Sequence, residues 1–506
     1  MVRLFRFCQL LHILWWSQPW LTSDMKKRWE FWISSMRFAD LIAAVVATFL
    51  VLSGAATAQT IRVPSSDGEI KLSFAPIVKR TAPSVVNVYT KRVVQQRVPS
   101  LFNDPFFRRF FGDDGGGRFG MPRERIQNSL GSGVIVRDDG IVVTNNHVIA
   151  DSDEITVILS DRREFDAEIV GTDERTDLAV LRIKNAPADL PALQLGDADA
   201  LEVGDLVLAI GNPFGVGQTV TSGIVSGVAR SNVGVSDFRS FIQTDAAINR
   251  GNSGGALVSI DGSLVGVNTA IYSRDGSSVG IGFAIPTPMV RVVLDSILKE
   301  GKAVRAWLGA GGQSVTSEIA EALGLDRPLG VIVTTVYEGS PGDDAGIKMG
   351  DVLVSVNGRE ILDAENLRYR LATLVVGESA DLELFRDGAK KSVRVRLVKP
   401  PEDPPRNETQ LSDQLPPFGG STVANLNPAL AEELGIEPEE GVIVLQLKRR
   451  SFARQAGLAP GDLILVVNGR DITNVIDLEG VLARSGRKWT FSVKRGGRVI
   501  QRSIGL

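Results

Sequence analysis

The stretch Asp245-Ala-Ala-Ile-Asn-Arg-Gly251-Asn-Ser253-Gly254-Gly255 places a serine among three glycines. Glycine adopts positive φ and lets backbone pass close to a ligand, so a turn here can direct the Ser253 hydroxyl outward. The same turn can aim the N–H groups of Gly251 and Ser253 at one point, where they would stabilise the oxyanion of a tetrahedral intermediate. A glycine-rich turn with an incidental serine is the alternative, and other residues must decide between the two.

His147 is the predicted base for this serine. A serine hydroxyl is a weak nucleophile that needs an adjacent base, usually histidine. The chain has two histidines, His12 and His147, and His12 lies upstream of a predicted signal-peptide cleavage site, so we expect it to be absent from the mature protein. His147 follows the apolar run Ile141-Val-Val-Thr-Asn-Asn, which predicts a buried strand that ends just before the imidazole.

Asp177 is the predicted carboxylate partner of His147. It opens the apolar run Leu178-Ala-Val-Leu-Arg-Ile, so it can be partly buried and still reach a neighbouring imidazole. Three other acidic residues lie in polar, turn-like stretches and are expected to be solvated: Asp161, Asp166 and Asp173. The chain order His147, Asp177, Ser253 is that of chymotrypsin.

The motifs around these residues resemble those of the HtrA/Deg (Do-like) serine proteases. They are Thr144-Asn-Asn-His147, Thr176-Asp177-Leu-Ala and Gly251-Asn-Ser253-Gly-Gly. The resemblance implies a mostly β chain, with a chymotrypsin-like double β-barrel protease domain at 73–300 followed by two PDZ domains, which are α+β with partly open barrels. It further implies a catalytic triad of His147, Asp177 and Ser253, with the backbone of Gly251 and Ser253 as oxyanion hole.

The resemblance also places the pocket that selects the substrate. Six residues before the nucleophile, where trypsin-like enzymes carry a charge on the pocket floor, lies Ala247. Ile271 and Ile281 would keep the pocket apolar, and an unpaired cation is costly to bury. We therefore expect cleavage after small aliphatic residues rather than after Lys or Arg.

Length and composition restrict the remaining possibilities. The chain of 506 residues is long enough for about three domains. Its formal net charge of -3 and the lack of a long basic block give no argument for nucleic acid. No motif suggests a metal or a nucleotide, so we expect no cofactor.

The N-terminal 58 residues read as an extension with a signal peptide. The apolar run Leu41–Leu52 is followed by Ala56-Thr-Ala58, which predicts cleavage after Ala58. An uncleaved membrane anchor is the alternative, although the run is shorter than the roughly 20 residues of a spanning helix. Met25 or Met36 would be a more ordinary start.

Cleavage after Ala58 would remove Cys8, the single cysteine of the chain. The mature protein would then have no disulfide, and its stability would rest on the size of its core. Together with the signal peptide, this predicts the bacterial periplasm.

The segment 97–128 is predicted to be a long loop. It lacks strand alternation and contains Leu101-Phe102, Phe106-Phe107 and Phe110-Phe111. In the HtrA family the corresponding loop reaches into other subunits, so the resemblance implies an oligomer contact and regulatory element in a trimer-based homo-oligomer. The alternative is a flexible insertion in which the phenylalanines pack only against each other.

The C-terminal part contains an internal repeat with an offset of 111 residues. Three pairs of matching segments begin at Gly330 and Gly441 (441 − 330 = 111), at Ala345 and Ala456, and at Val356 and Val467. These copies resemble PDZ domains and define a first domain at 306–399 and a second at 418–506. Residues 400–417 between them are predicted to be a Pro-rich, semi-rigid linker.

PDZ domains capture the C terminus of a peptide as an added strand and hold its carboxylate with backbone amides. In the first copy the matching loop is Trp307-Leu308-Gly309-Ala310, so we expect C-terminal peptides to bind there. The second copy has Phe418-Gly419-Gly420-Ser421 at the same offset. The aliphatic residues are missing there, which favours a role in assembly over peptide binding.

The sequence therefore predicts an ATP-independent periplasmic serine endopeptidase that degrades unfolded or damaged proteins in protein quality control. PDZ domains would bind substrates and regulate cleavage. A chaperone or peptide-binding scaffold with weak or conditional proteolysis is the alternative. The complete set of three catalytic groups argues for catalysis, since a pure binder would not need all three.

Overall fold

The computed structural model describes residues 73–96, 123–213, 217–230, 240–249, 251–271, 279–436, 438–484, 486 and 488–505. All but the first of these residues belong to the compact unit Phe74–Leu506. The predicted signal peptide and residues 97–122 of the predicted loop lie outside the described residues. Within the described part, the chain has no helix with the length and apolar character needed to cross a membrane.

The first part of the protease domain is a closed six-stranded barrel with strand order β1-β2-β3-β6-β5-β4. Its strands are β1 Val85–Gln96, β2 Arg123–Ile135, β3 Ile141–Asn145, β4 Glu154–Ile158, β5 Glu164–Asp173 and β6 Leu178–Ile183. Helix α1 (Ala75–Thr81) and a 3₁₀ turn (Ala82–Ser84) precede it, and α2 (Asn146–Ile149) follows β3. Because β2 begins at Arg123, residues 123–128 of the predicted loop lie in a strand.

The second closed barrel has the order β10-β11-β12-β9-β8-β7. Its strands are β7 Leu206–Gly211, β8 Thr219–Arg230, β9 Phe241–Thr244, β10 Ala256–Ser259, β11 Leu264–Ile271 and β12 Gly282–Pro286. A 3₁₀ turn (Ala198–Ala200) precedes them, and helix α3 (Thr287–Glu300) follows β12. Gly301 ends α3 in the left-handed conformation, as glycine commonly does after a helix.

The first PDZ domain has the sheet order β13-β14-β15-β17-β18, and β16 pairs with β15. The strands are β13 Ala310–Ser314, β14 Val331–Val336, β15 Val352–Val356, β16 Arg359–Glu360, β17 Ser379–Arg386 and β18 Ala389–Arg396. The helices are α4 Ser317–Leu323, α5 Pro341–Asp344 and α6 Ala364–Ala372.

The second PDZ domain repeats this sheet with one additional strand, in the order β19-β20-β21-β22-β24-β25, and β23 pairs with β22. The strands are β19 Thr409–Gln410, β20 Ser421–Asn425, β21 Val442–Leu447, β22 Leu463–Val467, β23 Arg470–Asp471, β24 Lys488–Arg495 and β25 Arg498–Gly505. The helices are α7 Pro428–Leu434, α8 Phe452–Gln455 and α9 Val475–Leu482. The additional strand β19 comes from the predicted linker.

The protease and first PDZ domains share buried contacts. Tyr369 and Ala372 of α6 belong to the same buried cluster as Met289 of α3, and burial raises the pKa of the Tyr369 phenol. Arg305, between the two domains, forms a buried ion pair with Asp173. The expectation that Asp173 is solvated was therefore wrong, because its carboxylate at the end of β5 has a cation from outside the barrel as its partner.

Candidate active site

The pairing of β3 with β6 brings His147 and Asp177 together. Asn145, the last residue of β3, lies opposite Leu178, the first residue of β6. His147 lies in the short helix α2 that follows β3, and Asp177 immediately precedes β6. Asp177 has a φ of 59°, an uncommon conformation for a residue other than glycine, and its carbonyl oxygen accepts the N–H of Asn146 at 3.0 Å.

The Asp177 carboxylate holds His147 at two points. Its Oδ2 lies 2.7 Å from Nδ1 of the imidazole, and its Oδ1 accepts the backbone N–H of His147 at 3.0 Å. An ionised carboxylate accepts hydrogen bonds and cannot donate them, so Nδ1 carries the proton and Nε2 has a free lone pair. The Asp177 side chain is 11% exposed, whereas the imidazole is 50% exposed and accessible to a substrate.

Ser253 lies in the turn before β10 and is held by the first barrel. The backbone N–H of Ser132 in β2 donates to the Ser253 carbonyl at 2.8 Å. Gly254 lies so close to Ser132 that a Cβ there would collide with the Ser132 carbonyl oxygen and the Thr144 hydroxyl. Its φ of +82° also favours glycine. The serine turn therefore belongs to the interface between the two barrels.

Thr269 connects Ser253 with Asp177, and sequence reasoning did not find it. Its hydroxyl donates to Asp177 Oδ2 at 2.7 Å, and its carbonyl accepts the Ser253 hydroxyl at 3.2 Å. Among the described residues no hydrogen bond joins Ser253 to His147. Catalytic hydrogen bonds are often long or misaligned without substrate. The polar pair Asn268-Thr269 within the apolar strand β11 was the available signal.

Gly251 is held by Ser132, a second residue that the sequence did not indicate. The Ser132 hydroxyl donates to the Gly251 carbonyl at 2.6 Å and accepts the backbone N–H of Asn212 at 2.8 Å. Gly251 has a φ of +95°. Within the described part of the chain, the N–H groups of Gly251 and Ser253 donate to no protein acceptor, which is what an oxyanion site requires.

The three residues predicted to line the specificity pocket lie in segments next to the serine turn. The Ala247 carbonyl accepts the Thr221 hydroxyl at 2.8 Å, and Ile281 is partly buried against the protease core. Ile271 pairs through its backbone with Gly282, and its side chain lies outside the described residues. The nearby Asp245 carboxylate accepts the N–H of Ile224 at 2.7 Å and so already has a donor.

Two of the other acidic candidates lie on the surface, as expected. Asp161 is exposed and accepts the backbone N–H and the guanidinium of Arg163. The Arg163 N–H, together with the guanidinium, lowers the pKa of that carboxyl. Asp166 is exposed on β5. Asp177 is therefore the carboxylate of this group that contacts the imidazole.

The predicted carboxylate loop of the first PDZ domain precedes β13. The Leu308 side chain is buried in the domain core, and the Trp307 ring lies against that of Tyr337, with centroids 5.8 Å apart. Gly309 has a φ of +72°, and a Cβ there would collide with Ser340. The strand β13 lies at the end of its sheet, so its outer edge can accept a peptide strand.

The cavity at this loop has a volume of about 130 Å³ and is also lined by the protease and second PDZ domains. Arg175, two residues before Asp177, forms an ion pair with Glu432 of α7 at 2.7 Å. The Tyr337 hydroxyl donates to the Pro438 carbonyl at 2.5 Å. A peptide that enters this loop therefore meets residues of all three domains.

Comparisons with known proteins agree with this architecture. Residues 131–267 match the family described as trypsin-like peptidase domain, and residues 307–397 and 443–495 each match a PDZ domain family. The double barrel and these matches define a trypsin-like serine endopeptidase with two PDZ domains.

The curated relatives specify the family. A probable periplasmic serine endoprotease, DegP-like, from Marinomonas sp. is 40% identical over 84% of this chain and 91% of its own length. The periplasmic serine endoprotease DegP of Escherichia coli (strain K12) is 38% identical over 91% of this chain and 95% of its own. The chain thus belongs to the DegP family of serine endoproteases, and the resemblance found in the sequence is confirmed.

A solved structure of the HtrA-type protease AlgW with a decapeptide is 44% identical to this chain. The match covers 65% of this chain and 99% of the AlgW chain, with a TM-score of 0.49.

Proposed function

We propose that Ser253, His147 and Asp177 are the catalytic triad of this endopeptidase. The observation that carries the proposal is the two-point contact of Asp177 with His147, at 2.7 Å and 3.0 Å. It fixes the tautomer in which Nε2 can accept the serine proton. His147 then returns that proton to the leaving amine, while Asp177 stabilises the imidazolium and stays ionised.

The backbone N–H groups of Gly251 and Ser253 are the proposed oxyanion hole. Donors that are fixed before the reaction stabilise the charge that develops on the carbonyl oxygen without reorganising. Ser132 supports the shape of this turn, because its hydroxyl holds the Gly251 carbonyl, which belongs to the peptide plane between those of the two donor N–H groups.

The proposed substrates are unfolded or damaged proteins in the periplasm, cleaved without ATP. Two relatives are named periplasmic endoproteases, which supports a signal peptide cleaved after Ala58. The open edge of β13 favours extended chains. The test compares the degradation of an unfolded protein with that of its folded form, in the absence of nucleotide. The Ser253→Ala variant is the negative control. Equal cleavage of both forms would contradict it.

The binding-only alternative is not favoured, because the relatives are named as proteases and a pure scaffold would not need the contact between Asp177 and His147. We further propose that the domain bounds are 73–300, 306–399 and 418–506, and that the protein is a trimer-based homo-oligomer acting in the stress response. The predicted loop 97–128 would contribute subunit contacts.

The enzyme is expected to cut after small aliphatic residues. Ala247 provides no charge at the proposed pocket floor, and an unpaired Lys or Arg side chain would be costly to bury there. Mass spectrometry of fragments from an unfolded substrate gives the residue before each cut, and a majority of cuts after Lys or Arg would refute the assignment. Ala247→Asp is the matched variant, and it should shift cleavage toward Lys and Arg.

Gly309→Ala is expected to impair degradation of long unfolded chains about tenfold, equivalent to about 1.4 kcal/mol of lost binding, and to spare short peptides. The added Cβ would collide with Ser340 and distort the loop that holds the substrate terminus. This variant is more specific than removal of the domain, which would strip Tyr369 from the protease core.

The matched control for this variant is Gly324→Ala in the same domain. Gly324 has a similar φ of +66°, but a Cβ there would meet nothing within 4 Å. Rates for both substrate types are compared between the two variants. Equal losses on long and short substrates in Gly309→Ala would mean that the loop supports the fold or its activation instead.

A further inference from the structure

The second PDZ domain has a strand at the sheet edge where the first has none. Strands β13 and β20 are equivalent, since the pairs Gly311–Thr335 and Thr422–Gln446 occupy the same position with an offset of 111 residues (422 − 311 = 111). The outer edge of β13 has no neighbouring strand among the described residues. The outer edge of β20 pairs with β19, Thr409–Gln410, from the predicted linker.

The added strand runs in the direction of a bound peptide. A peptide bound to a PDZ domain lies along this edge, with its C terminus at the loop that precedes the strand. Thr409 lies opposite Val423 and Gln410 opposite Thr422, in antiparallel register. The chain therefore advances toward the loop Phe418–Gly420, and the N–H of Leu411 donates to the Ser421 carbonyl at 2.9 Å.

Leu411 takes the place of the last residue of such a peptide. Its carbonyl accepts the N–H of Gly420 at 3.3 Å, a backbone amide of the loop that would otherwise hold a terminal carboxylate. Leu411 as a whole is 2% exposed. It belongs to the same buried cluster as Phe418 of the loop and Val475 and Leu478 of α9.

The loop Phe418–Gly420 has glycine in place of an aliphatic residue because the linker segment packs against it. A Cβ at Gly419 would lie 2.8–2.9 Å from the carbonyl oxygens of Leu415, Asp413 and Ser412, which form the turn that joins the linker strand to the loop. A leucine, as at the equivalent position 308, would not fit. In the part that the structure describes, the first PDZ domain has no linker segment of this kind before its loop. The position equivalent to Leu411 is Glu300 (411 − 111 = 300), which is the last residue of helix α3.

We propose that residues 409–411 are an internal ligand that occupies the peptide groove of the second PDZ domain. The groove takes C-terminal peptides whose last residue is apolar, and it is closed to them while Leu411 is in place. The missing aliphatic residues of its loop thus reflect a ligand already bound within the chain rather than a groove without binding capacity.

The test uses the full chain with Ser253→Ala and a ten-residue peptide that ends in leucine with a free carboxylate. Hydrogen exchange measured by mass spectrometry separates binding at residues 310–314 from binding at residues 421–425. Without substitution in the linker, the peptide is expected to leave exchange at 421–425 unchanged. In Leu411→Asp the aspartate charge is unstable in the apolar groove, so the linker segment should leave it. The same peptide should then bind and slow hydrogen exchange at residues 421–425 at least tenfold. The peptide with an amidated C terminus is the matched control and should have no such effect.

Two results would overturn the proposal. One is protection of residues 421–425 by the peptide in the chain with Leu411 intact. The other is a Leu411→Asp variant with a folded second domain, judged by exchange in α9, in which saturating peptide protects nothing at 421–425. Mass spectrometry also shows whether the peptide is cut, so a failure of the proposed Ser253 role would be recognised separately.

A second variant applies if Leu411→Asp unfolds the domain. Leu411→Gly empties the groove without adding charge, and it is combined with Gln410→Cys and Thr422→Cys. Gln410 lies opposite Thr422 in the antiparallel register, and residues directly opposite each other in such a pair have Cα atoms about 4.5–5.5 Å apart, within the range of disulfide geometry. Oxidation should abolish peptide binding at 421–425, and reduction should restore it. Equal binding in both states would refute the internal ligand.

Discussion

Replacing Ser253 by alanine is expected to lower the rate of peptide-bond hydrolysis roughly 10⁶-fold, as loss of the nucleophile does in subtilisin. The change removes one oxygen atom whose recorded hydrogen bond is to the Thr269 carbonyl at 3.2 Å. The backbone contact from Ser132 to residue 253 does not involve the side chain, so the turn should keep its shape. The measurement is the initial rate of cleavage of a reduced, carboxymethylated protein.

The control for this variant is Ser222→Ala, at an exposed position on β8 of the same barrel. It should cleave at the native rate. Binding of the unfolded protein, measured by anisotropy, should be unchanged in both variants because neither alters a PDZ domain. If purified Ser253→Ala cleaved within about tenfold of the native rate, Ser253 would not be the nucleophile.

The parts that sequence reasoning found have strong local signals. The serine turn is predictable because three glycines surround Ser253, and a Cβ at Gly254 would indeed collide with the first barrel. His147 and Asp177 each lie next to an apolar run that forms a buried strand, and the pairing of those strands brings the two side chains together. The two barrels and the PDZ domains were implied by the resemblance to HtrA/Deg proteases, and the offset of 111 residues revealed the repeat.

The residues that the sequence did not reveal depend on contacts between distant segments. Asp173 lies in a polar stretch of sequence, and its burial depends on Arg305, 132 residues later in the chain. Thr269 and Ser132 lie in strands of different barrels and act through their hydroxyl groups. A local sequence pattern does not show which distant residue a hydroxyl group contacts. Leu411 lies in a Pro-rich polar stretch that predicts a linker. The composition of such a stretch is set by the residues around Leu411, and it does not indicate that Leu411 itself is buried.

The turn that carries Asp177 is also the point where the three domains meet. Asp173 accepts the Thr176 hydroxyl at 2.6 Å and pairs with Arg305, while Arg175 pairs with Glu432 of the second PDZ domain. The turn that carries Asp177 thus has ion-pair partners outside its own barrel.

Asp177→Asn is expected to lower kcat about 10⁴-fold, as the same change does in chymotrypsin-like proteases. The side chains are nearly identical in shape, and the amide oxygen can still accept the backbone N–H of His147 at the position of Oδ1. The amide NH₂ then faces Nδ1 of the imidazole. Because an NH₂ group donates, it stabilises the tautomer with a bare Nδ1 and a proton on Nε2, and that tautomer cannot accept the proton of Ser253.

This explanation requires a wrong tautomer rather than a damaged fold, and the two can be separated. Nitrogen chemical shifts of the imidazole should place the proton on Nε2 in Asp177→Asn and on Nδ1 in the native protein, while the circular dichroism spectra coincide. Asp166→Asn, exposed on β5 of the same barrel, is the matched control and should keep the native rate and tautomer. A proton that stays on Nδ1 in Asp177→Asn, or a kcat within about tenfold of native, would show that the Oδ2 contact at 2.7 Å does not set the tautomer on which catalysis depends.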